Sequence, residues 1–475
     1  MSPVRLAPFN GGVDRFGRDV PDRPPLPSGP VLVVGLGRSG VSAARALRQR
    51  VPAVIACDSG PVDAPVRQEL ATLGIAVWDE SDGVDPLRAV EWVVKSPGVP
   101  SRVPVIAAAR ERGIPVLGEL EVGWRLLPNP FIAITGSNGK TTTTELVGHI
   151  HREARLPVEV AGNVGLALTF LVDTLSPGAV VVCEASSFQL EDTRAFAPDA
   201  AVLLNLAEDH LDRHGTFAAY RDAKLRVFAE QPASALAVLP TGLAAQARGG
   251  SARRVLFEPK AGGGAQASLT VRDGRLWWLD APFMDTDDLA LRGAHNLENA
   301  MAAAAVCLAR GVDPAAVRSG LATFGGVAHR LEEIATVDGV LYVNDSKATN
   351  VASAVVGLTS FPAGSVHVIL GGRAKGDDLA PLAAAADRHA SAAYLIGEAA
   401  PAFGEALAQT GVPVHQSGDL ESAVAAARAA ARTGEVVLLS PAAASYDQFR
   451  SFEERGARFR ALVGRDVGRP GPGPR

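Results

Sequence analysis

Cysteine is scarce in this chain. The three that occur in 475 residues, Cys57, Cys183 and Cys307, are too far apart and too odd in number for a disulfide framework or a CxxC metal pair. A reducing, cytosolic setting is expected. Long apolar runs are missing as well. The apolar stretches are short and broken by glycine or charge, well below the ~20 residues of a bilayer span. Residues 1–30, rich in Pro, Gly, Arg and Asp, contain no signal-peptide core. The expectation is a cytoplasmic protein with no membrane insertion. Charge of one sign is lacking too, since a net charge of -5 gives no basic field for nucleic acid or an anionic surface. Small-molecule partners and a monomeric chain are expected, and no repeat of fixed period is found.

What is present is the material for several cores. With 47% hydrophobic and 20% charged residues, a chain of this length suggests about three globular domains. Short β-branched runs alternate with Ala/Leu-rich stretches of helical period, which predicts an α/β fold with parallel sheets. Three series separate: one from Val31-Leu32-Val33-Val34 to about Leu120, one opening at Phe131-Ile132-Ala133-Ile134, and one holding Val366 to Leu370, Ala393 to Ile396 and Val436 to Leu439. Gly325-Gly326 is the candidate hinge into the last. The expected domains are 30–120, 121–326 and 327–463, between flexible segments 1–29 and 464–475. Gly262-Gly263-Gly264 reads as a loop without chemistry.

Two loops are suited to phosphate. Gly35-Leu36-Gly37-Arg38-Ser39-Gly40 follows a strand and opens a helix, and Asp58 ends the next strand, as in a dinucleotide fingerprint. A glycine-rich turn that only packs closely is the competing explanation. Either way, N–H groups at a helix N-terminus bind a diphosphate, that of a UDP-sugar included. The second loop, Thr135-Gly136-Ser137-Asn138-Gly139-Lys140-Thr141-Thr142, is a P-loop of the Gly-Lys-Thr type, with Ile134 where the longer pattern has its first glycine. Lys140 would neutralise the β/γ-phosphates and Thr141 would ligate Mg²⁺. Glu184, ending the run from Val180, and His210, in Glu208-Asp209-His210-Leu211-Asp212-Arg213-His214-Gly215, both follow strands and point to the same crevice. On its own, a lone histidine there is more often structural, and Lys224 reads as a solvated helix lysine.

Taken in order, Gly136 to Thr142, Gly162-Asn163, Glu184 to Leu190, Glu208 to Gly215, His295-Asn296, His329-Arg330 and Asn344-Asp345-Ser346-Lys347-Ala348-Thr349-Asn350 resemble the Mur ligase superfamily. Ser186 to Glu191 and Ser440 to Phe449 look like its D-glutamate-adding branch, over about residues 30–463. Ala443 stands where that pattern commonly has Cys, a small residue for a small one. The resemblance implies a Rossmann-like N-terminal domain, a central P-loop domain and a Rossmann-like C-terminal domain. It implies an ATP-dependent ligase of cytoplasmic peptidoglycan synthesis joining D-glutamate to UDP-N-acetylmuramoyl-L-alanine through an acyl phosphate. Leu36, Arg38 and Ser39 would then meet the diphosphate, with Asp58 and Ser59 near the nucleotide. Gly136, Ser137, Asn138, Gly139, Lys140, Thr141, Thr142, Asn163, Asn296, Arg330 and Asp345 would serve ATP. Two Mg²⁺ ions are implied, one with Thr141 and Glu184, the other with Glu184 and His210. Lys224 matches a carbamylated lysine beside the second ion, and Thr349, Lys375, Ser445 and Phe452 match a D-glutamate pocket. The rivals are a P-loop switch whose output is conformational, a sister ligase adding another amino acid, and a folate-type polyglutamate ligase.

Overall fold

The computed structural model describes residues 23–259, 267–291, 293–373 and 378–464. Lys375 and the Gly262 to Gly264 stretch lie outside the described residues. One compact unit ends at Phe324 and a second begins at Gly325; each is described separately.

The first unit opens with a five-stranded parallel sheet in the order Ala76–Trp78, Val54–Cys57, Val31–Val34, Trp92–Lys95, Val116–Gly118. Val31–Val34 is buried along its whole length, as expected where helices cover both faces of a parallel sheet. A nine-stranded sheet follows. At its heart Phe131–Thr135 pairs in parallel with Val180–Glu184 on one side and Ala200–Leu203 on the other. The helix Lys140–Glu153 leads away to Val158–Gly162, beyond Val180–Glu184, and the chain later returns on the opposite side. Strand order therefore reverses at Phe131–Thr135, and such a switch point leaves a crevice at the carboxyl ends of the strands. The far edge is an antiparallel meander, Leu269–Arg272, Arg275–Trp278 and Ala281–Asp285.

In the second unit, Val366–Gly371 pairs in parallel with Val436–Leu439 and Ala390–Ile396 at the centre of a six-stranded sheet. Glu332–Val337 closes one edge antiparallel to Val340–Asn344. Among the described residues, no helix is long and apolar enough to cross a membrane.

The segment expected to be flexible through residue 29 is tied down from Arg23 onward. The Arg23 guanidinium donates to the carbonyls of Trp124 (2.6 Å) and Asn129 (2.5 Å). It also sits 5.0 Å from the ring centroids of both Trp124 and Phe131. Arg125 donates to the Pro25 carbonyl at 2.8 Å, and the Trp92 indole to that of Gly29 at 3.0 Å. Proline and arginine richness suggested a free segment; the aromatic faces that receive it lie about a hundred residues away.

Candidate active site

The crevice of the first unit is built around one carbonyl. Gly136, at φ 157, turns its oxygen toward two lysines: Lys140 Nζ donates to it at 2.9 Å and Lys224 Nζ at 2.7 Å. Lys140 also bonds the Ser137 carbonyl at 2.8 Å. Lys224, on the helix Phe217–Ala229, is 2% exposed, which removes the solvated-lysine reading. Its ammonium lies 4.6 Å from the Tyr220 ring centroid. Burial, reinforced by the Lys140 charge, lowers its pKa to about 7 against the pull of Asp209 and Glu184.

Glu184 is buried at the end of its strand. Oε1 accepts from Asn163 Nδ2 at 2.9 Å, while Oε2 is buried without a hydrogen-bond partner. An orphaned, desolvated carboxylate oxygen beside a P-loop fits a cation, since leaving it bare is costly. Among the described residues no group of three His, Cys, Asp or Glu could hold a metal alone. A lone buried carboxylate oxygen is a donor of the kind Mg²⁺ uses, since that ion takes one or two protein oxygens and completes its shell with phosphate and water. His210 is about half exposed, its Nε2 3.4 Å from Asp209 Oδ2 and its ring against Phe188 and Tyr220.

Several residues that hold the P-loop were not singled out in the sequence. Asn205 grips Asn138 on both sides, accepting from its N–H at 2.9 Å and donating to its carbonyl at 3.2 Å. The Tyr220 hydroxyl meets Ser137 Oγ at 3.0 Å. Asn299 takes a 3.3 Å hydrogen bond from Thr143 and donates to Asn296 at 3.2 Å. Gly139, at φ 81, leaves no room for a β-carbon, which would fall 2.1 Å from Asn299 Oδ1. The position of Asn205, directly after a strand, was the only local signal.

In the first sheet's domain, the Asp58 carboxylate accepts from Leu36 N at 2.6 Å and Gly60 N at 3.0 Å, so it shapes the glycine loop. Gly35 has φ 88, and a β-carbon on Gly40 would lie 1.7 Å from the Gly35 carbonyl oxygen. Arg38 is exposed and Ser39 partly so, at the start of the helix Arg38–Arg48.

The second unit collects its own group at the carboxyl ends of its strands. Asp345 accepts from Ser440 Oγ at 2.7 Å and Leu331 N at 3.2 Å, and burial raises its carboxyl to about 7 despite these bonds. Phe452 begins the helix Phe452–Gly464, with its ring 6.2 Å from His329. Ser445 is buried, and its carbonyl, not its side chain, closes the turn to Gln448 and Phe449. Thr349 precedes Asn350, whose side chain caps Val351–Thr359. The buried Arg455, also missed, donates to the Ser346 and Ala443 carbonyls at 2.9 and 3.2 Å and to Ser346 Oγ at 3.0 Å. It thereby ties loops from separate strands together. Among the described residues, the predicted site residues placed here thus fall into three groups: the glycine loop with Asp58, the P-loop with Glu184, Asn163, Lys224, His210 and Asn296, and the Asp345 to Phe452 set of the second unit.

Family models match three consecutive stretches: a Mur ligase MurD-like N-terminal domain at 29–118, a Mur ligase middle domain at 134–307, and a Mur ligase glutamate ligase domain at 329–443. A UDP-N-acetylmuramoylalanine--D-glutamate ligase of Pelotomaculum thermopropionicum is 42% identical over 444 residues, 91% of this chain and 97% of its own length. Its counterpart in Anaeromyxobacter dehalogenans is 43% identical over 460 residues, 93% of this chain and 98% of its own. Among solved structures, UDP-N-acetylmuramate-alanine ligase of Thermotoga maritima aligns with TM-score 0.55 at 18% identity, covering 92% of this chain and 99% of that one. A MurF ligase of the same organism, in complex with ADP, aligns at 0.52 and 20%, covering 93% and 95%.

Proposed function

This chain belongs to the Mur ligase family, and from that premise we propose that it joins D-glutamate to UDP-N-acetylmuramoyl-L-alanine at the expense of ATP, in peptidoglycan precursor synthesis. Its work is that of a cytoplasmic, small-molecule enzyme. The observation that carries the reading is the pair of lysines on the Gly136 carbonyl beside the unpartnered oxygen of Glu184.

A carboxylate and an amine do not form an amide in water without activation. The L-alanine carboxylate of the UDP-substrate attacks the γ-phosphorus of ATP, forming an acyl phosphate and releasing ADP. The neutral amine of D-glutamate then attacks the acyl carbon, and phosphate leaves. Both steps crowd anions, so preorganised positive charge is the chief requirement. Lys140 would meet the phosphates, Thr141 and Glu184 would hold one Mg²⁺, and Glu184 and His210 would hold a second. Bound there, Mg²⁺ offsets charge on the transferring phosphoryl group. Asn163, Asn296, Arg330 and Asp345 serve the nucleotide. Leu36, Arg38, Ser39, Asp58 and Ser59 serve the UDP portion.

The lowered pKa of Lys224 supports its carbamylation. A neutral amine adds to carbon dioxide, forming a nitrogen–carbon bond and losing a proton. The product is an anion, whereas the ammonium would repel the second cation. Thr349, Lys375, Ser445 and Phe452 form the D-glutamate pocket in this reading. The test is phosphate release with UDP-N-acetylmuramoyl-L-alanine, ATP and a panel of amino acids, with mass spectrometry of the product. Release confined to D-glutamate is expected. Release independent of amino acid would point to a P-loop switch, and release with another amino acid to a sister ligase.

A further inference from the structure

The turn that carries His210 closes on the ring of Phe188, with Tyr220 beside it. His210, Arg213 and His214 stand at i, i+3 and i+4, a spacing that places them on one face of a helical turn. That face closes on Phe188, which lies 4.8 Å from His210, is stacked 5.4 Å from His214 at 15°, and has the Arg213 guanidinium 3.9 Å from its centroid. His214 Nε2 is also 3.0 Å from Ser187 Oγ. His210 itself is left-handed, at φ 52 and ψ 35, a conformation that a residue with a β-carbon holds only when its surroundings impose it.

Arg213 reaches beyond this ring. Its Nη2 donates to the Val99 carbonyl at 3.2 Å and to Glu191 Oε1 at 3.0 Å. Val99 belongs to the domain of the first sheet. The same Glu191 oxygen accepts from Ser101 at 2.9 Å and lies 3.4 Å from the buried Lys95, which also pairs with Asp192 at 2.8 Å. The His210 turn is thus fastened to loop 96–101, across the boundary between the two domains of the first unit. In so dry a setting a charge-assisted bond and a stacked cation are both strong.

We propose that Arg213 is a positioning residue, fixing the His210 turn between Phe188 and loop 96–101 so that the imidazole is held for the second cation. This rests on the role of His210 proposed above, but its effect on the turn is measurable without any metal. The amides of His214 and Gly215 bond the carbonyls of His210 (3.0 Å) and Leu211 (2.8 Å), so their hydrogen exchange reports opening of the turn. In the metal-free full-length chain, Arg213→Ala is expected to speed that exchange by roughly 30-fold or more, the low end of one stacked cation and one charge-assisted bond together. In the assay it is expected to raise the Mg²⁺ concentration for half-maximal rate by about as much, leaving the KM for ATP at saturating Mg²⁺ nearly unchanged. Arg213→Lys, which keeps the charge but cannot lay a flat fork on the ring, is expected to fall between the two. It carries both readouts should Arg213→Ala not fold. Wild-type exchange in the variants would overturn the proposal, and so would a loosened turn with unaltered Mg²⁺ dependence, the mark of a purely structural contact. If the wild-type chain ligated no D-glutamate, the proposed function would fall, while the exchange result would still decide what Arg213 does to the turn.

Discussion

At the scale of single residues, the proposal gives the two lysines on one carbonyl separable duties. Lys140→Ala removes the charge proposed to meet the phosphates, and loss of one preorganised partner commonly costs on the order of 10²–10³ in rate; a kcat near that of the wild type would take Lys140 out of the site. If Lys224 acts as the proposed carbamate, Lys224→Ala is expected to be inactive and partly restored by a small carboxylic acid that takes its place. Asp345 gives a prediction in pH. Its carboxyl is raised to about 7 by burial, so folding takes up a proton between pH about 4 and 7, and stability falls as pH rises through that window. A gap of about three pK units corresponds to roughly 4 kcal/mol at most. Asp345→Asn removes the charge while its Oδ1 still accepts from Leu331 N and its Nδ2 turns the Ser440 contact round, donating to Oγ. In denaturant titrations it should be more stable than wild type at pH 8, with the advantage shrinking to roughly a third at pH 5. An advantage independent of pH would mean that Asp345 is ionised throughout.

Elements were legible where the signal was local. Val31–Val34 and Phe131–Thr135 are runs of buried apolar residues between turn signals, and the glycines beside them punctuate as glycine must where φ is positive. Less visible were contacts made across the chain. Tyr220 reaches Ser137 over 83 positions and Asn299 reaches Thr143 over 156; no periodicity encodes either. Lys224 looked solvated because the surface that buries it belongs to other elements. Arg23 is the clearest case at this scale. Its charge is held by carbonyls and ring faces, and burial lowers its pKa to about 10. Hydrogen bonds to a charged group are worth ~1.5–3 kcal/mol each. Arg23→Ala should therefore cost about 2–4 kcal/mol in denaturant unfolding of the full-length chain, discounted for the desolvation it relieves. A change below ~0.5 kcal/mol would leave the segment as mere covering.

For the whole molecule, the ordered series of phosphate loop, strand-end carboxylate and late Asn-Asp-Ser-Lys motif points to the ligase class from the sequence alone. The three matched family domains agree with it. A P-loop switch would need Lys140, Thr141 and Glu184 only, and would leave the second unit without work. What composition and spacing could not convey was how each site is supported: the carbonyl of Gly136, the Asn205 clamp and the Arg455 tie are facts of packing. The central claim is that the substrate carboxylate itself is phosphorylated. It is tested most directly by supplying UDP-N-acetylmuramoyl-L-alanine labelled with ¹⁸O in the L-alanine carboxylate, together with ATP and D-glutamate, and weighing the phosphate released. One labelled oxygen is predicted in the phosphate for each amide formed, because the acyl phosphate breaks at its carbon–oxygen bond. Unlabelled phosphate, released in step with ATP consumption, would contradict it.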